Sequence, residues 1–545
     1  MIRWVMVLVV LWASPVQADG LLLLAGSGGA TPPTGTTVLS VGTTSADQKI
    51  IPRYANGSSG AAGQIIGWGP NSILSATSAT SALASASKAA IITEGFGTSY
   101  PETWQPYLRD FTLTGYSTNG WAIDGNTVNI HPETYNKTDQ DSYSGIWAQA
   151  GGGHLADVTI YGIPGTAAKL SRGGGALNSP IFGKIKWNAN RIMIRRVFRG
   201  LYMFATDCHA TDIEVEAFRD YGVRLGKYQT TGACQFARLH TYGGGMSAAD
   251  NDSLRGAIDN DEDIVPTGYA TPGIWIDGDT CHGVDCYSEN IEIGLLIRGS
   301  YASLDGLYSH TCPVANVMFA GAHGRVSQAR IDVYADDWTI QYDTEASGPF
   351  QVNETLTFSG GTSGTVSGVT DNGTTGTLYV HQGSGPKPAD NATITGGTSG
   401  ATALVNGTPT TTSTSVGVEF DNQYNALNDS TLKTNGYATA IKIDNGVGQV
   451  IRNVTIDSYG NALGTGVDVN TTLYDCTIDV VISGGAKGID FSGGSIGAGN
   501  FIRINTANGT TSAATLPANW TTTTNTTTNS QVFIDGTQYF YNPPP

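Results

Sequence analysis

A short strand pattern that returns every twenty-odd residues constrains this chain more than any other feature. Phe111-Thr112-Leu113-Thr114-Gly115 reads apolar, polar, apolar, polar, glycine, and Val158-Thr159-Ile160-Tyr161-Gly162 repeats it. The unit recurs at Ile192-Met193-Ile194, Ile213-Glu214-Val215, Leu239-His240-Thr241, Leu307-Tyr308-Ser309 and Ile331-Asp332-Val333. A second strand follows most of these, as at 222–226, 294–299 and 316–321. Leu295 and Val317 stand 22 residues apart, Val317 and Ile340 23, and Ile456 and Ile478 22. Strands of period two at a fixed interval of this length mark a solenoid. A chain of 545 residues would otherwise suggest several domains, but a solenoid lengthens freely because each repeat buries its core against its neighbours.

Leucine-rich repeats share the period but need a recurrent Leu/Asn framework that is missing here, and propeller blades run to roughly 40 residues. The expected fold is therefore all-β, a right-handed single-stranded parallel β-helix. In period and strand grammar it resembles the pectate-lyase-like superfamily, which includes pectin-degrading enzymes and phage tailspikes. That resemblance covers residues 105–345 and 416–505, and no catalytic motif carries it.

The expected organisation is a leader at 1–18, an N-terminal region and cap at 19–104, a β-helix at 105–345, a Gly/Thr-rich β-module at 350–408, a continued β-helix at 416–510 and a tail at 511–545. Within the module, Asn353-Glu354-Thr355-Leu356-Thr357 is echoed by Asn391-Ala392-Thr393-Ile394-Thr395, so two strand–turn units interrupt the solenoid. This insert resembles β-modules of phage virion proteins. Trimer formation is suggested only by analogy with tailspikes, since the chain carries no heptads.

At the N-terminus Arg3 precedes the apolar run 4–12, and Ala13-Ser14-Pro15-Val16-Gln17-Ala18 offers small residues for cleavage. This is the layout of a secretory signal peptide, and the run is too short to span a bilayer. The expected location is extracellular with no lasting membrane insertion; a virion surface is the alternative. A net charge of −17 with only 28 Lys and Arg leaves no electrostatic footprint for nucleic acid. The sequence lacks a Gly-x-Ser-x-Gly elbow, a P-loop and a His-Glu-x-x-His pair. Among six cysteines, Cys208 and Cys234 fall at equivalent positions of adjacent repeats, close enough for a disulfide, and Cys281 or Cys286 is a candidate partner for Cys312.

Equivalent residues of successive rungs stack about 4.8 Å apart, so outward positions form columns. One column reads Met193, Glu214, His240, Tyr287, Tyr308, Asp332; the other reads Tyr161, Arg195, Glu216, Tyr242, Glu289, His310, Tyr334. Glu214, Glu216 and Glu289 are the candidate catalytic carboxylates. Arg195, His240, Tyr242, Tyr287, Tyr308, His310 and Asp332 are the candidate substrate-binding residues. Aromatic faces suit the apolar faces of sugars and polar groups suit their hydroxyls. Glu216 and Glu289 fall two rungs apart, about 9–10 Å, and Glu214 and Glu216 about 7 Å apart on one strand. Inverting glycosidases separate their acid and base by about 6.5–9.5 Å, and a neighbouring carboxylate can raise the pKa of the acid. A lyase would instead use a base beside cations, for which Arg195, His240 and Tyr242 are available. These residues are equally consistent with an ordinary solvated face.

A long insertion between 245 and 272 carries Asp250-Asn251-Asp252 and Asp259-Asn260-Asp261-Glu262-Asp263. Ca²⁺ is conceivable there, but the Gly and terminal Glu of an EF-hand are absent and a solvated acidic loop is the simpler reading. No cofactor is expected. The resemblance implies a polysaccharide or cell-surface glycan as partner, with cleavage by hydrolysis or elimination; a non-catalytic adhesin or receptor-binding spike is the alternative.

Overall fold

The computed structural model describes residues 36–39, 41–45, 49–51, 64–75, 89–93, 107–114, 121–124, 127–130, 144–148, 153–163, 166–171, 186–204, 207–226, 233–243, 270–312, 314–334, 338–351, 354–384, 387–411, 415–435, 438–458, 465–484, 487–507, 512–517, 520–521 and 529–541. The described elements are all strands. The leader at 1–18 and the acidic loop at 250–263 lie outside the described residues.

Two ladders of parallel strands run along the solenoid. The first contains Tyr107–Thr114, Gly153–Tyr161, the leading parts of Lys186–Phe204 and Asp207–Leu225, then Ala233–Tyr242, His282–Glu289, Ser303–His310 and Arg325–Tyr334. The second contains Ser144–Ala148, Thr166–Ser171, the trailing parts of the same two long strands, then Pro272–Ile276, Ile293–Ile297 and Ala315–Phe319. All these pairings are parallel, so the chain coils as a right-handed parallel β-helix, the hand that parallel crossovers almost always take. Alternation sets which side chains go in. Val158, Ile192, Ile213, Leu239, Cys286 and Leu307 form one buried interior column, and Ile160, Ile194 and Val215 lead another.

Each strand of the first ladder bends at one residue in the left-handed region, shown by positive φ at Asp110, Asp157, Arg191, Asp212, Arg238, Asp285, Gly306 and Gln328. Asp tolerates this region better than most residues, while Arg is uncommon there. From Asp157 to Asp285 the stack alternates in charge, which favours Arg at two of its places. Arg191 meets Asp157 through Nε and Nη2, both at 2.6 Å, and Arg238 meets Asp212 through the same pair of nitrogens at 2.6 and 2.9 Å. The Asp212 carboxyl is held below the usual carboxylate range, chiefly by its hydrogen bonds from Arg238.

The solenoid extends further than the repeat alone suggests. Gln64–Ile66 and Ser72–Ser75 already pair in parallel with Tyr107–Thr114, inside the region expected to be a cap. At the other end Gln531–Ile534 adds a rung, and Thr537–Tyr541 folds back antiparallel to close it.

The insert is also larger than its internal repeat. Trp338–Ala346, Gly376–Ser384, Ser363–Asp371, Thr355–Phe358, Thr393–Gly396 and Thr402–Val405 pair antiparallel in a closed ring around Trp338, Ile340, Leu356, Val380 and Ile394. Ile340 is thus not the rung equivalent of Val317, which pairs with Val418. Trp338-Thr339-Ile340 alternates as a rung would, and alternation alone does not say which sheet a strand joins. The solenoid resumes directly across the insert, with Arg330 beside Thr431 and the Phe319 and Phe420 rings stacked at 5.0 Å.

Cys208 does pair in register with Cys234, and Cys281 follows one rung on. All six cysteines are buried thiols and not disulfides. The Cys286 and Cys312 thiols instead reach the Val284 and His310 carbonyls, which removes the expected bridge to Cys312.

On the outer side of the second ladder, Tyr202, Tyr221, Trp275, Leu296 and Met318 form a separate apolar cluster. Buried ions adjoin it: fully buried Arg224 pairs with fully buried Asp277 at 2.7 Å and lies 4.1 Å over Trp275, and partly buried Arg298 reaches the same Asp277 at 2.8 Å. Removing one member of a buried ion pair typically costs 3–5 kcal/mol, because the other charge is left without compensation. Asp277→Ala is therefore expected to lower unfolding stability by about 3–5 kcal/mol in chemical denaturation. A loss below about 1 kcal/mol would show that Arg224 does not depend on this carboxylate.

Candidate functional site

The outward residues just after the left-handed bend form two adjoining columns, and the register settles their membership. Met193, Glu214, His240, Tyr287, Tyr308 and Arg330 make the first. Tyr161, Arg195, Glu216, Tyr242, Glu289, His310 and Asp332 make the second. Asp332 therefore belongs to the second column, where Tyr334 was expected, and Arg330 takes its place in the first. The slip has a simple origin. Ile331-Asp332-Val333 looks like Leu307-Tyr308-Ser309, but Leu307 pairs with Ala329, and buried Ser309 pairs with Ile331. A serine facing inward broke the apolar alternation on which the alignment rested.

The upstream end is an ionic knot. Arg195 lies 2.8 Å from Glu216 and 3.3 Å from Glu214, with all three side chains about two-fifths exposed. Two neighbouring carboxylates alone would repel each other, but the guanidinium between Glu214 and Glu216 offsets that repulsion. Glu214 and Glu216 are therefore better suited as acceptors than as a self-tuned acid–base pair.

The downstream end is a hydrogen-bonded cluster. The Tyr287 hydroxyl donates to Glu289 Oε2 at 2.5 Å and lies 2.8 Å from His310 Nε2. His310 Nε2 is itself 3.4 Å from Glu289, and its Nδ1 lies 2.9 Å from the Thr311 hydroxyl. One rung on, the Tyr308 hydroxyl donates to Asp332 Oδ2 at 3.1 Å, and the Arg330 guanidinium lies 4.9 Å over the Tyr308 ring. The His240 ring meets Tyr287 edge-on at 4.4 Å and joins the two ends, with half-buried Tyr242 in the column beside it. Of the residues singled out from sequence, all ten thus lie on one continuous face.

Three buried atoms on this face lack a hydrogen-bond partner among the described residues: His240 Nε2, Asp332 Oδ1 and Arg195 Nε, the last of which lies within ion-pair range of Glu216. Buried polar atoms are normally satisfied, so orphans on an accessible face mark places a ligand or water can complete. No group of three or more potential metal ligands occurs among the described residues. Arg330 was missed because it entered the alignment one column out of place. A cleft of about 420 Å³ also escaped notice, on the facet before the bend between Tyr107 and Thr211. Its signal was the matching offset of Tyr107, His154, Asn188 and His209 ahead of each repeat.

No family model matches the chain, and no curated protein does. Among solved structures it is similar to the tailspike protein of E. coli bacteriophage HK620 in complex with pentasaccharide, with a TM-score of 0.36 and 9% identity over 82% of this chain and 65% of that one. It is also similar to the catalytic domain of a GH87 alpha-1,3-glucanase in complex with tetrasaccharides, with a TM-score of 0.30 and 11% identity over 88% of this chain and 61% of that one. The chain thus spans a little under two thirds of either. Fold and face together define a parallel β-helix with a polar and aromatic ladder on its first sheet.

Burial, and then the bond to Glu289, push the Tyr287 phenol well above its ordinary value. Ionising it would place a second anion beside Glu289, so the folded state keeps its proton past pH 10, where an ordinary tyrosine loses it. Its contribution to stability is full below about pH 10 and is lost as pH rises further, because there the unfolded state binds fewer protons. Ultraviolet difference titration of wild type against Tyr287→Phe is expected to show a tyrosine ionising above about 10. A missing step at or below that value would contradict the hydrogen-bonded arrangement.

Proposed function

We propose that this chain is an exported, glycan-engaging β-helix that cleaves a polysaccharide along the face from Arg195 to Asp332. The observation that carries the reading is the continuity of that face. Carboxylates, imidazoles, phenols and two guanidinium groups stand in register over six successive rungs, with His240 Nε2 and Asp332 Oδ1 left for a ligand. Aromatic rings set among hydrogen-bonding groups suit a polymer of sugar rings, each with apolar faces and an edge of hydroxyls. Export rests on the leader-like N-terminus.

Hydrolysis is the chemistry this geometry serves best. Glu216 and Glu289 stand two rungs apart with Tyr242 between them, about 9–10 Å by rung spacing, which leaves room for a sugar and a water. Glu289 is assigned as the proton donor to the leaving oxygen, and the Tyr287 hydroxyl steadies the carboxylate that the transfer leaves behind. Glu216, fixed by Arg195, is assigned as the base that activates water. The proton lost by that water passes to Glu216, which releases it to solvent as product leaves, while Glu289 takes up a proton from solvent.

A second reading, a non-catalytic glycan binder, is favoured by one observation: Arg195 already engages Glu214 and Glu216. Incubating the purified protein with a panel of bacterial polysaccharides separates the two. Cleavage is expected to release new reducing ends, and Glu216→Gln and Glu289→Gln are each expected to slow release at least 100-fold while retaining glycan binding. Unsaturated products would replace hydrolysis by elimination. Binding without any released product would favour the non-catalytic reading, and unchanged turnover in both variants would overturn the assignment of the carboxylates.

A further inference from the structure

The cleft before the bend has a composition of its own. The Tyr107 and His154 rings stack at 4.3 Å, nearly parallel at 14°, and Tyr107 is 40% exposed. Asn188 on the next rung lies within 3.3 Å of His154 through its side-chain amide. Asn190 and His209 also line the cleft, and Asn190 Oδ1 is buried without a hydrogen-bond partner among the described residues. The volume, about 420 Å³, lies within the ordinary range of ligand sites.

We propose that this cleft is a second glycan-binding site, one that takes a neutral sugar separately from the Arg195–Asp332 face. The exposed Tyr107 ring offers an apolar platform for a sugar face, and a sugar O–H or N–H is the donor that Asn190 Oδ1 lacks. Asn188 and His209 add side chains able to meet further hydroxyls. Charge selects against an acidic sugar. Arg191 is bound through Nε and Nη2 to Asp157, and Arg109 lies 3.6 Å from Asp110, so each cation has a carboxylate partner. Burial also holds the His154 imidazole below its ordinary pKa, which favours its neutral form. The two sites are distinct because the left-handed bend at Arg191 and Asp212 lies between them: Asn188 and Asn190 precede it, and Arg195 follows it on the same strand. The proposal borrows from the functional reading only the class of ligand and does not require that any polysaccharide be cleaved.

The test is an array of neutral, N-acetylated and uronic-acid oligosaccharides probed with the full-length protein. Wild type and Tyr107→Phe, which keeps the ring, are expected to bind neutral or N-acetylated members alike. Tyr107→Ala combined with Asn188→Ala is expected to weaken that signal at least tenfold with an unchanged circular dichroism spectrum. Absence of any signal from neutral or N-acetylated sugars overturns the proposal, as does a signal insensitive to the double substitution. Binding confined to uronic-acid members also overturns it.

Discussion

Everything in this protein depends on parallel strands stacking in register. Once Val158, Ile192 and Ile213 align inside the solenoid, every other position on those strands is fixed relative to its neighbours above and below. The hydrogen-bond ladder places residues from distant parts of the sequence within touching distance. Tyr287 and His310 meet through their side chains although 23 residues separate them. No local signal announces such a contact; it follows from repeat length alone.

The same stacking explains how the chain tolerates interruption. Because each rung is held by the rungs on either side, a loop can grow into a whole barrel as long as its ends return to adjacent places. The closed ring between Trp338 and Val405 does so, and the rungs on either side of it pair as though nothing intervened. A solenoid can thus carry added modules without rebuilding its core.

Much of this was legible in the sequence, and the failures have physical causes. The repeat at Phe111, Val158 and Ile192 gave the fold, and ten candidate residues fell on one face because outward columns follow from rung spacing. Asp332 slipped out of its column because inward Ser309 carries no apolar signature and Ala329 only a weak one. Ile340 joined the wrong sheet because antiparallel and parallel strands share the same alternation. The pairing of Arg195 with two glutamates was invisible, since sequence shows that charges are neighbours but not where their side chains turn. The cleft beside Tyr107 and His154 lies on the half of each strand ahead of the repeat's apolar signature, so the periodicity does not point to it.

The alternating charges at the bend have a consequence for assembly of the coil itself. Asp157, Arg191, Asp212, Arg238 and Asp285 occupy the same corner on five successive rungs. The interior columns are built from similar aliphatic residues, so a rung docked one place too far along would still bury its apolar side chains. At the corner, however, that displacement sets aspartate on aspartate and arginine on arginine. The core rewards stacking of any rung on any other, and the corner distinguishes the correct neighbour. A coil of near-identical turns thereby carries an electrostatic parity check on its own winding.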